Sequence, residues 1–130
     1  MSATYKPEGY STVSPYLVVN GAAETIDFLI DVFDATELRR FPAENGGLVH
    51  AEVRLDDTVI MLADSNDSFA AAPSHVHVYV EDVNRIYQQA VEAGARSVQE
   101  PRQQSEEEDR RAAVQDSGGT TWWIATKVTN

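Results

Sequence analysis

Alternating apolar and polar positions divide the chain into strand-like segments, and the first segment has a second copy further along. Residues 14–20 read SPYLVVN, and residues 75–81 read HVHVYVE about sixty positions later. Residues 56–63 and 118–125 form a similar pair, each a turn followed by an apolar strand. Such a repeat indicates a duplicated unit whose copies pack together, because one copy alone leaves its apolar sheet face uncovered.

Each copy is followed by a helical pattern and then by further strands. Residues 12–19 alternate with a period of two, which places Val13, Leu17 and Val19 on the side that faces a helix. That helix is predicted at residues 24–33, where the apolar positions with helical spacing are Ile26, Leu29, Ile30 and Phe33. The remaining strands are predicted at 37–41, 48–55, 58–63, 75–80, 97–98, 112–115 and 120–126, with a second helix at 83–93 stopped by Gly94. The sequence therefore predicts an α+β fold of two tandem βαβββ modules.

Composition fits one domain over residues 1–130, with modules at about 12–64 and 75–127 and a polar linker at 65–74. The longest apolar runs are much shorter than the roughly 20 residues that cross a bilayer, and no basic-then-apolar leader precedes Tyr10, so a cytoplasmic protein is expected. The absence of cysteine excludes disulfides and thiolate chemistry. A net charge of −11 argues against nucleic acid or anionic membranes as partners. It leaves two interpretations open: cationic small molecules as partners, or an acidity that serves solubility or a saline environment.

Two segments lack periodicity. Residues 1–10, with Pro7 and Gly9, are predicted to form an N-terminal arm. Residues 105–109 read SEEED, which predicts either a solvated loop or an acidic lip over a pocket.

The order of the motifs resembles a known superfamily. The segments that carry the resemblance are PYLVV at 15–19, HAEV at 50–53 leading to VIMLAD at 59–64, HVYVEDV at 77–83, AVEAGA at 90–95, and residues 116–126. They resemble the vicinal-oxygen-chelate superfamily (glyoxalase, bleomycin-resistance and extradiol-dioxygenase proteins), in particular its PhnB-like branch. The resemblance implies an incomplete barrel around a ligand cleft, in a protein that forms homodimers.

The resemblance also implies where a metal would be held. In metal-dependent members the ligands lie on the first and last strands of each module, and the matching positions here are Ser14, Met61, His75 and Trp123. One imidazole cannot supply the three or four donors that Zn, Ni or Fe requires. No metal and no other cofactor is therefore expected, although a displaced divalent metal stays possible.

Strand parity groups the polar candidates on one expected concave surface. A two-residue hairpin at 56–57 sets Glu52 opposite Met61, with His50 on the same face. On the second module His75, His77 and Tyr79 point together. These side chains are open to four interpretations: hydrogen bonding to water and to each other, acid–base catalysis by His50, Glu52, His75 or His77, a displaced metal site, or ligand contact.

Trp123 faces the cleft, whereas Trp122 is predicted to be core. Its indole is interpreted either as a platform for an aromatic or cationic ligand, or as a tryptophan that fills a cavity or a dimer interface. The predicted ligand-binding set is Ser14, Tyr16, His50, Glu52, Met61, His75, His77, Tyr79 and Trp123.

Three functions remain open at this point. The preferred one is a small-molecule-binding protein that sequesters a planar or cationic ligand without metal. The alternative is a lyase or isomerase that acts on a small oxygenated substrate through the cleft histidines, with or without a divalent metal. The third is an interaction domain without a ligand.

Overall fold

Each half of the chain forms a four-stranded sheet, and the two sheets have the same strand order. The structure is a computed structural model that describes residues 5–128. Its elements are β1 (Tyr16–Val19), α1 (Ala22–Phe33), β2 (Thr36–Pro42), β3 (Leu48–Leu55), β4 (Thr58–Asp64), β5 (Ser74–Tyr79), α2 (Val83–Glu92), β6 (Arg96–Arg102), β7 (Arg110–Gln115) and β8 (Thr120–Thr126). The strand orders are β1-β4-β3-β2 and β5-β8-β7-β6. The predicted α+β fold with two βαβββ modules is confirmed, and the sheets are not closed into a barrel.

The pairing within the sheets repeats as well. The outer pairs β1–β4 and β5–β8 are parallel, and the other neighbours are antiparallel. Glu52 lies opposite Met61, as the hairpin prediction required. Asp56 turns the β3–β4 hairpin with φ of 55°. Because this register is correct, the polar and apolar sides of β3 and β4 are also as predicted.

The start of α1 is fixed by a carboxylate from the end of β4. Asp64 Oδ1 accepts hydrogen bonds from the backbone N–H groups of Gly21 at 2.8 Å and Ala22 at 2.9 Å, and Oδ2 accepts from Leu48 at 2.7 Å. Burial opposes ionisation, but these three hydrogen bonds outweigh it and lower the pKa of the Asp64 carboxyl. One side chain therefore ties α1, β3 and β4 together at the N-terminal end of the helix.

The apolar faces of both sheets turn towards the helices. The first helix packs on β2, β3 and β4, the second on β6, β7 and β8, and the two helices contact each other. Trp122 is fully buried and touches the Phe33 ring across the two modules, with the ring centroids 5.5 Å apart. A single core cluster spans both modules, and the polar faces of the two sheets turn away from it.

Some predicted details are wrong. Strand β1 begins at Tyr16 rather than residue 12, and Val13 is 81% exposed instead of packing under the helix. Pro15 has no N–H to donate to the ladder, although its carbonyl accepts from the N–H of Met61 at 2.9 Å, so regular pairing with β4 begins at Tyr16. Ile30 is 40% exposed because it lies outside the buried stripe of α1.

The second module differs from its prediction mainly at its outer strand. Strand β6 runs over seven residues instead of the short piece expected at 97–98. The second helix ends at Glu92, one residue early, and Gly94 has the positive φ of 106° that its predicted role as a helix stop requires. Neither helix in residues 5–128 is long or apolar enough to cross a membrane.

Candidate functional site

The polar face of the first sheet is built around a buried carboxylate. Glu52 on β3 is only 6% exposed. Its Oε1 accepts a hydrogen bond from the Tyr10 hydroxyl at 2.5 Å, and its Oε2 accepts one from His50 Nε2 at 2.8 Å. Arg39 on β2 places its Nε 3.3 Å from Oε1. Three side chains therefore hold one carboxylate from three directions.

These contacts keep Glu52 ionised. Burial raises the pKa of a carboxyl, but the hydrogen bonds from Tyr10 and His50, together with the charge of Arg39, outweigh it and lower the pKa of Glu52. The same carboxylate raises the pKa of the Tyr10 hydroxyl, because that hydroxyl donates to it. The result is a fixed negative charge beneath the polar face.

His50 connects this carboxylate to the open surface. Its Nδ1 lies 3.2 Å from the Tyr16 hydroxyl, and the two rings are 5.6 Å apart. Phe41 flanks the imidazole from the other side at 6.2 Å. Tyr16 is 52% exposed, so its hydroxyl is the accessible end of a chain that begins at buried Glu52. We call Tyr16, His50, Glu52 and Met61 the first polar face.

The N-terminal arm lies across this face. Besides the Tyr10 contact, Arg54 Nη2 donates to the Gly9 carbonyl at 3.1 Å, and Ser11 contacts β4. The first four residues of the predicted arm lie outside the described residues. Tyr10 was missed as a site residue because the segment has no periodicity from which a facing direction could be deduced.

The polar face of the second sheet is aromatic. The indole Nε1 of Trp123 donates to His75 Nδ1 at 3.0 Å. The planes of the two rings are 24° apart and their centroids are 6.2 Å apart, so the rings lie edge to edge and nearly parallel. His77 and Tyr79 follow on the same side of β5, with their ring centroids 4.8 Å apart and their planes at 64°. We call His75, His77, Tyr79 and Trp123 the second polar face.

A charged pair borders the second polar face. The Tyr79 hydroxyl donates to Asp109 Oδ2 at 2.7 Å, which raises the pKa of Tyr79 and lowers that of Asp109. Arg111 lies 3.9 Å from the same carboxylate, and its buried Nε has no hydrogen-bond partner among residues 5–128. Burial, aided by the Arg111 charge, lowers the pKa of His77. His77 is therefore uncharged over more of the neutral range than a free histidine.

Part of the predicted acidic loop borders Trp123. A cavity of about 420 Å³ is lined by Trp123, Arg111 and Arg102, with Glu107 and Glu108 from the loop at its edge. A larger open cleft of about 1260 Å³ lies along both helices, and Tyr79 is the only predicted site residue in its lining. Residues 105–108 are exposed, as the solvated-loop interpretation requires, and Glu107 and Glu108 also border the cavity, so both interpretations of the loop stay open.

The structure divides the predicted site between two surfaces. His50 and Glu52 belong to the first polar face, and His75 and His77 to the second. Among residues 5–128 no hydrogen bond, ion pair or aromatic contact joins the two faces. The expected single surface with three histidines is thus wrong within one chain, because the helices separate the two sheets.

The positions implied for a metal do not converge into a donor set. Met61 lies opposite Tyr16 and Glu52, Trp123 lies opposite His77 and Ala113, and Ser14 precedes β1. In the part of the chain that the structure describes, no three His, Asp or Glu side chains are grouped to hold a metal ion. His75 accepts the indole hydrogen bond on Nδ1, so that lone pair is already used.

Arg39, Asp109 and Arg111 were also missed as site residues. Each is a charged residue in a strand or at a loop end, where sequence favours a solvated side chain. One signal was present for Arg111: it lies two positions before Ala113 in β7 and therefore on the same side of the strand, and Ala113 lies opposite Trp123.

Comparison with known proteins places this fold and sequence in a family. Uncharacterized protein Mb0911c of Mycobacterium bovis is 38% identical over an alignment of 97 residues that covers 66% of this chain and 64% of that protein. Uncharacterized protein Rv0887c of Mycobacterium tuberculosis is equally similar, with 57% of its length matched, so the chain spans about three fifths of these relatives.

Solved structures share the fold at low identity. TioX from Micromonospora sp. ML1 has a TM-score of 0.73 at 23% identity, covering 92% of this chain and 99% of that one. The fosfomycin resistance protein FosX of Listeria monocytogenes, solved with Mn(II) and sulfate, has a TM-score of 0.70 at 13% identity, with 90% of each chain covered. The PhnB protein of Bacillus cereus has a TM-score of 0.71 at 17% identity, covering 89% of this chain and 99% of that one. With its family model matched over residues 11–124, the chain belongs to the Glyoxalase/Bleomycin resistance protein/Dioxygenase superfamily.

Proposed function

We propose that the protein binds a small planar ligand on the second polar face, without a metal, and that Trp123 is the stacking platform. The observation that carries the proposal is the geometry of Trp123, whose indole is held nearly parallel to His75 by a hydrogen bond between the two rings. A flat aromatic surface fixed in this way loses little side-chain freedom when a ligand stacks on it. Every other residue that lines the cavity beside Trp123 is polar or charged, so the indole supplies its apolar surface.

The charges around Trp123 favour a ligand that carries a positive group. Glu107, Glu108 and Asp109 line the same cavity and outnumber its two cations, Arg102 and Arg111, and the whole chain has a net charge of −11. An indole face attracts a cation with about 0.5–1 kcal/mol at an exposed site and more when water is excluded. Asp109 lies 3.9 Å from Arg111 and offsets part of its positive charge, so Arg111 repels a cationic ligand less strongly.

We further propose that two chains form a two-fold dimer in which each ligand cleft is bordered by both protomers. Support comes from the two sheets, which are open and turn their polar faces away from the shared core. Pairing the first polar face of one protomer with the second polar face of its partner would enclose both surfaces. A sedimentation experiment showing only a 14.3 kDa species at micromolar concentration would contradict the dimer.

The fold similarity to the PhnB protein of Bacillus cereus supports a place in the PhnB-like branch. That similarity is one of fold and carries no activity with it.

Calorimetry with three matched probes tests the binding proposal. Benzyltrimethylammonium supplies a ring and a cation, tetramethylammonium lacks the ring, and benzoate reverses the charge. The first should bind best, and Trp123→Ala should weaken it about five- to tenfold, as the loss of one cation–π or stacking contact of about 1 kcal/mol or more requires.

Phe69→Ala provides the control, because Phe69 is another aromatic residue, 66% exposed and outside both polar faces. It should leave the affinity unchanged. If benzyltrimethylammonium binds no better than tetramethylammonium, or if Trp123→Ala binds as well as the wild type, the platform role of Trp123 is wrong.

A further inference from the structure

We propose that Tyr16, His50 and Glu52 form a hydroxyl–imidazole–carboxylate triad, in which the Tyr16 hydroxyl is activated to attack the acyl carbon of a small ester. This activity lies on the first polar face and goes beyond the binding proposed for the second. It requires a buried carboxylate, an imidazole oriented by it, and a hydroxyl that a substrate can reach.

The geometry meets these three requirements in order. Glu52 is ionised and can only accept, so the imidazole nitrogen that faces it at 2.8 Å, Nε2, carries a proton. The other nitrogen, Nδ1, is then free to accept from the Tyr16 hydroxyl at 3.2 Å. This tautomer is assigned from the hydrogen-bond network. Tyr16 is half-exposed while Glu52 is buried, so the chain leads from the core to the open surface.

The remaining contacts of Glu52 hold the carboxylate in place. Tyr10 donates to its Oε1, and Arg39 lies 3.3 Å from the same oxygen. These contacts keep Oε2, which accepts the hydrogen bond from His50 Nε2, in one orientation. An imidazolium formed during the reaction would lie directly against this negative charge and be stabilised by it.

The duplication of the fold provides an internal comparison. Trp123 occupies in the second sheet the place that Met61 occupies in the first, as the strand pairings show. The residue opposite Met61 is Glu52, whereas the residue opposite Trp123 is Ala113. The second polar face therefore has histidines but no carboxylate on its equivalent strand. The triad belongs to the first module alone and is not a general consequence of the fold.

The proposed reaction needs only an ester and water. The Tyr16 oxygen forms a bond to the acyl carbon, its proton passes to His50 Nδ1, and the bond from that carbon to the leaving alkoxide or phenoxide breaks. His50 returns the proton to the leaving group. Water then attacks the acyl carbon while His50 Nδ1 accepts its proton, and the bond from that carbon to the Tyr16 oxygen breaks. His50 passes the proton to the Tyr16 oxygen, which releases the acid and restores the Tyr16 hydroxyl.

The test uses the protein of 130 residues with p-nitrophenyl acetate. It follows p-nitrophenol release and locates acetyl groups by peptide mass spectrometry. We expect acetyl-Tyr16 in quenched samples of the wild type. Tyr16→Phe removes only the exposed oxygen, and His50→Gln removes the base. Each should lower the release rate at least tenfold, because a positioned general base contributes about a hundredfold or more.

Tyr5→Phe is the matched control, since Tyr5 is 78% exposed and thus more accessible than Tyr16. It should leave the rate unchanged, and Tyr5 should carry little acetyl in the wild type. Far-UV circular dichroism confirms that each variant is folded. The proposal is overturned if the wild type does not exceed buffer, if Tyr16→Phe retains the rate, or if acetyl accumulates on His50 or on Tyr5 instead.

Discussion

The adjacent tryptophans of β8 provide a sharp test of which side of the second sheet is core. Trp122 is fully buried, and its Nε1 donates to Asp116 Oδ2 at 2.8 Å, whereas Trp123 donates to His75 on the polar face. We compare Trp122→Phe with Trp123→Phe, because both changes keep an aromatic ring and remove one indole N–H.

The expected costs differ because the surroundings differ. At Trp122 the lost hydrogen bond to a buried carboxylate costs about 1.5–3 kcal/mol. The smaller ring leaves a cavity of roughly 40 Å³, which costs about 1 kcal/mol more. Trp122→Phe should therefore lower the free energy of unfolding by about 2.5–4 kcal/mol. Trp123→Phe removes a solvent-exposed bond and should cost less than about 1 kcal/mol.

Urea unfolding followed by far-UV circular dichroism measures both values. With a typical m-value of about 1–3 kcal/mol/M, the midpoint should fall by about 1 M or more for Trp122→Phe and only slightly for Trp123→Phe. The m-value itself should stay constant in both. Equal midpoint shifts, or a larger shift for Trp123→Phe, would refute the assignment of the two faces.

Three further predictions concern Asp64, Gly118 and metal. Asp64→Asn should cost about 1.5–3 kcal/mol at neutral pH, because the amide turns a donor towards a backbone N–H. Folding lowers the pKa of Asp64, so the stabilisation by its carboxylate is present above the unfolded pKa and is lost as the pH falls through the folded pKa. The difference in the free energy of unfolding between wild type and variant, measured by urea titration, should therefore disappear in acid. A difference that stays constant with pH would contradict the reasoning. Gly118→Ala should lower the melting temperature, since its Cβ would lie 2.9 Å from Thr25 Oγ1 and 3.1 Å from Val19 Cβ, and Thr25→Ala should recover part of the loss. Treatment with a chelator should leave the melting temperature of the purified protein unchanged, and a fall reversed by one divalent ion would show a metal site that the donor positions do not suggest.

The fold was predictable because the second half of the sequence repeats the strand and helix pattern of the first half. The duplicated strand patterns and the two-residue hairpin led to the correct bounds of β3 and β8 and to the pairing of Glu52 with Met61. Period-two alternation assigns a residue to one side of a sheet, so Trp122 and Trp123 were separated correctly. Alternation does not show where a strand begins, and Val13 was misplaced for that reason.

The site was less predictable because its contacts join segments distant in sequence. Parity placed His50 and Glu52 on one side of β3, but it contains no information about the Tyr10 hydroxyl, which reaches Glu52 from a segment without periodicity. Parity also cannot show how two sheets are oriented. The histidines were therefore assigned to one surface, although the helices keep His50 apart from His75 and His77.

The helices lie between the two polar faces, and this separation determines how amino-acid substitutions on the two faces combine. Substitutions at distant sites without shared partners have additive effects on stability, whereas contacting residues are coupled. The first polar face and the second share no contact among the described residues, so changes on one should leave the energetics of the other unaltered in the isolated protomer. Each face can then acquire new chemistry by single substitutions while the other face keeps its own. If two chains associate, pairs of substitutions whose effects on stability are no longer additive would identify the residues that meet across the dimer interface.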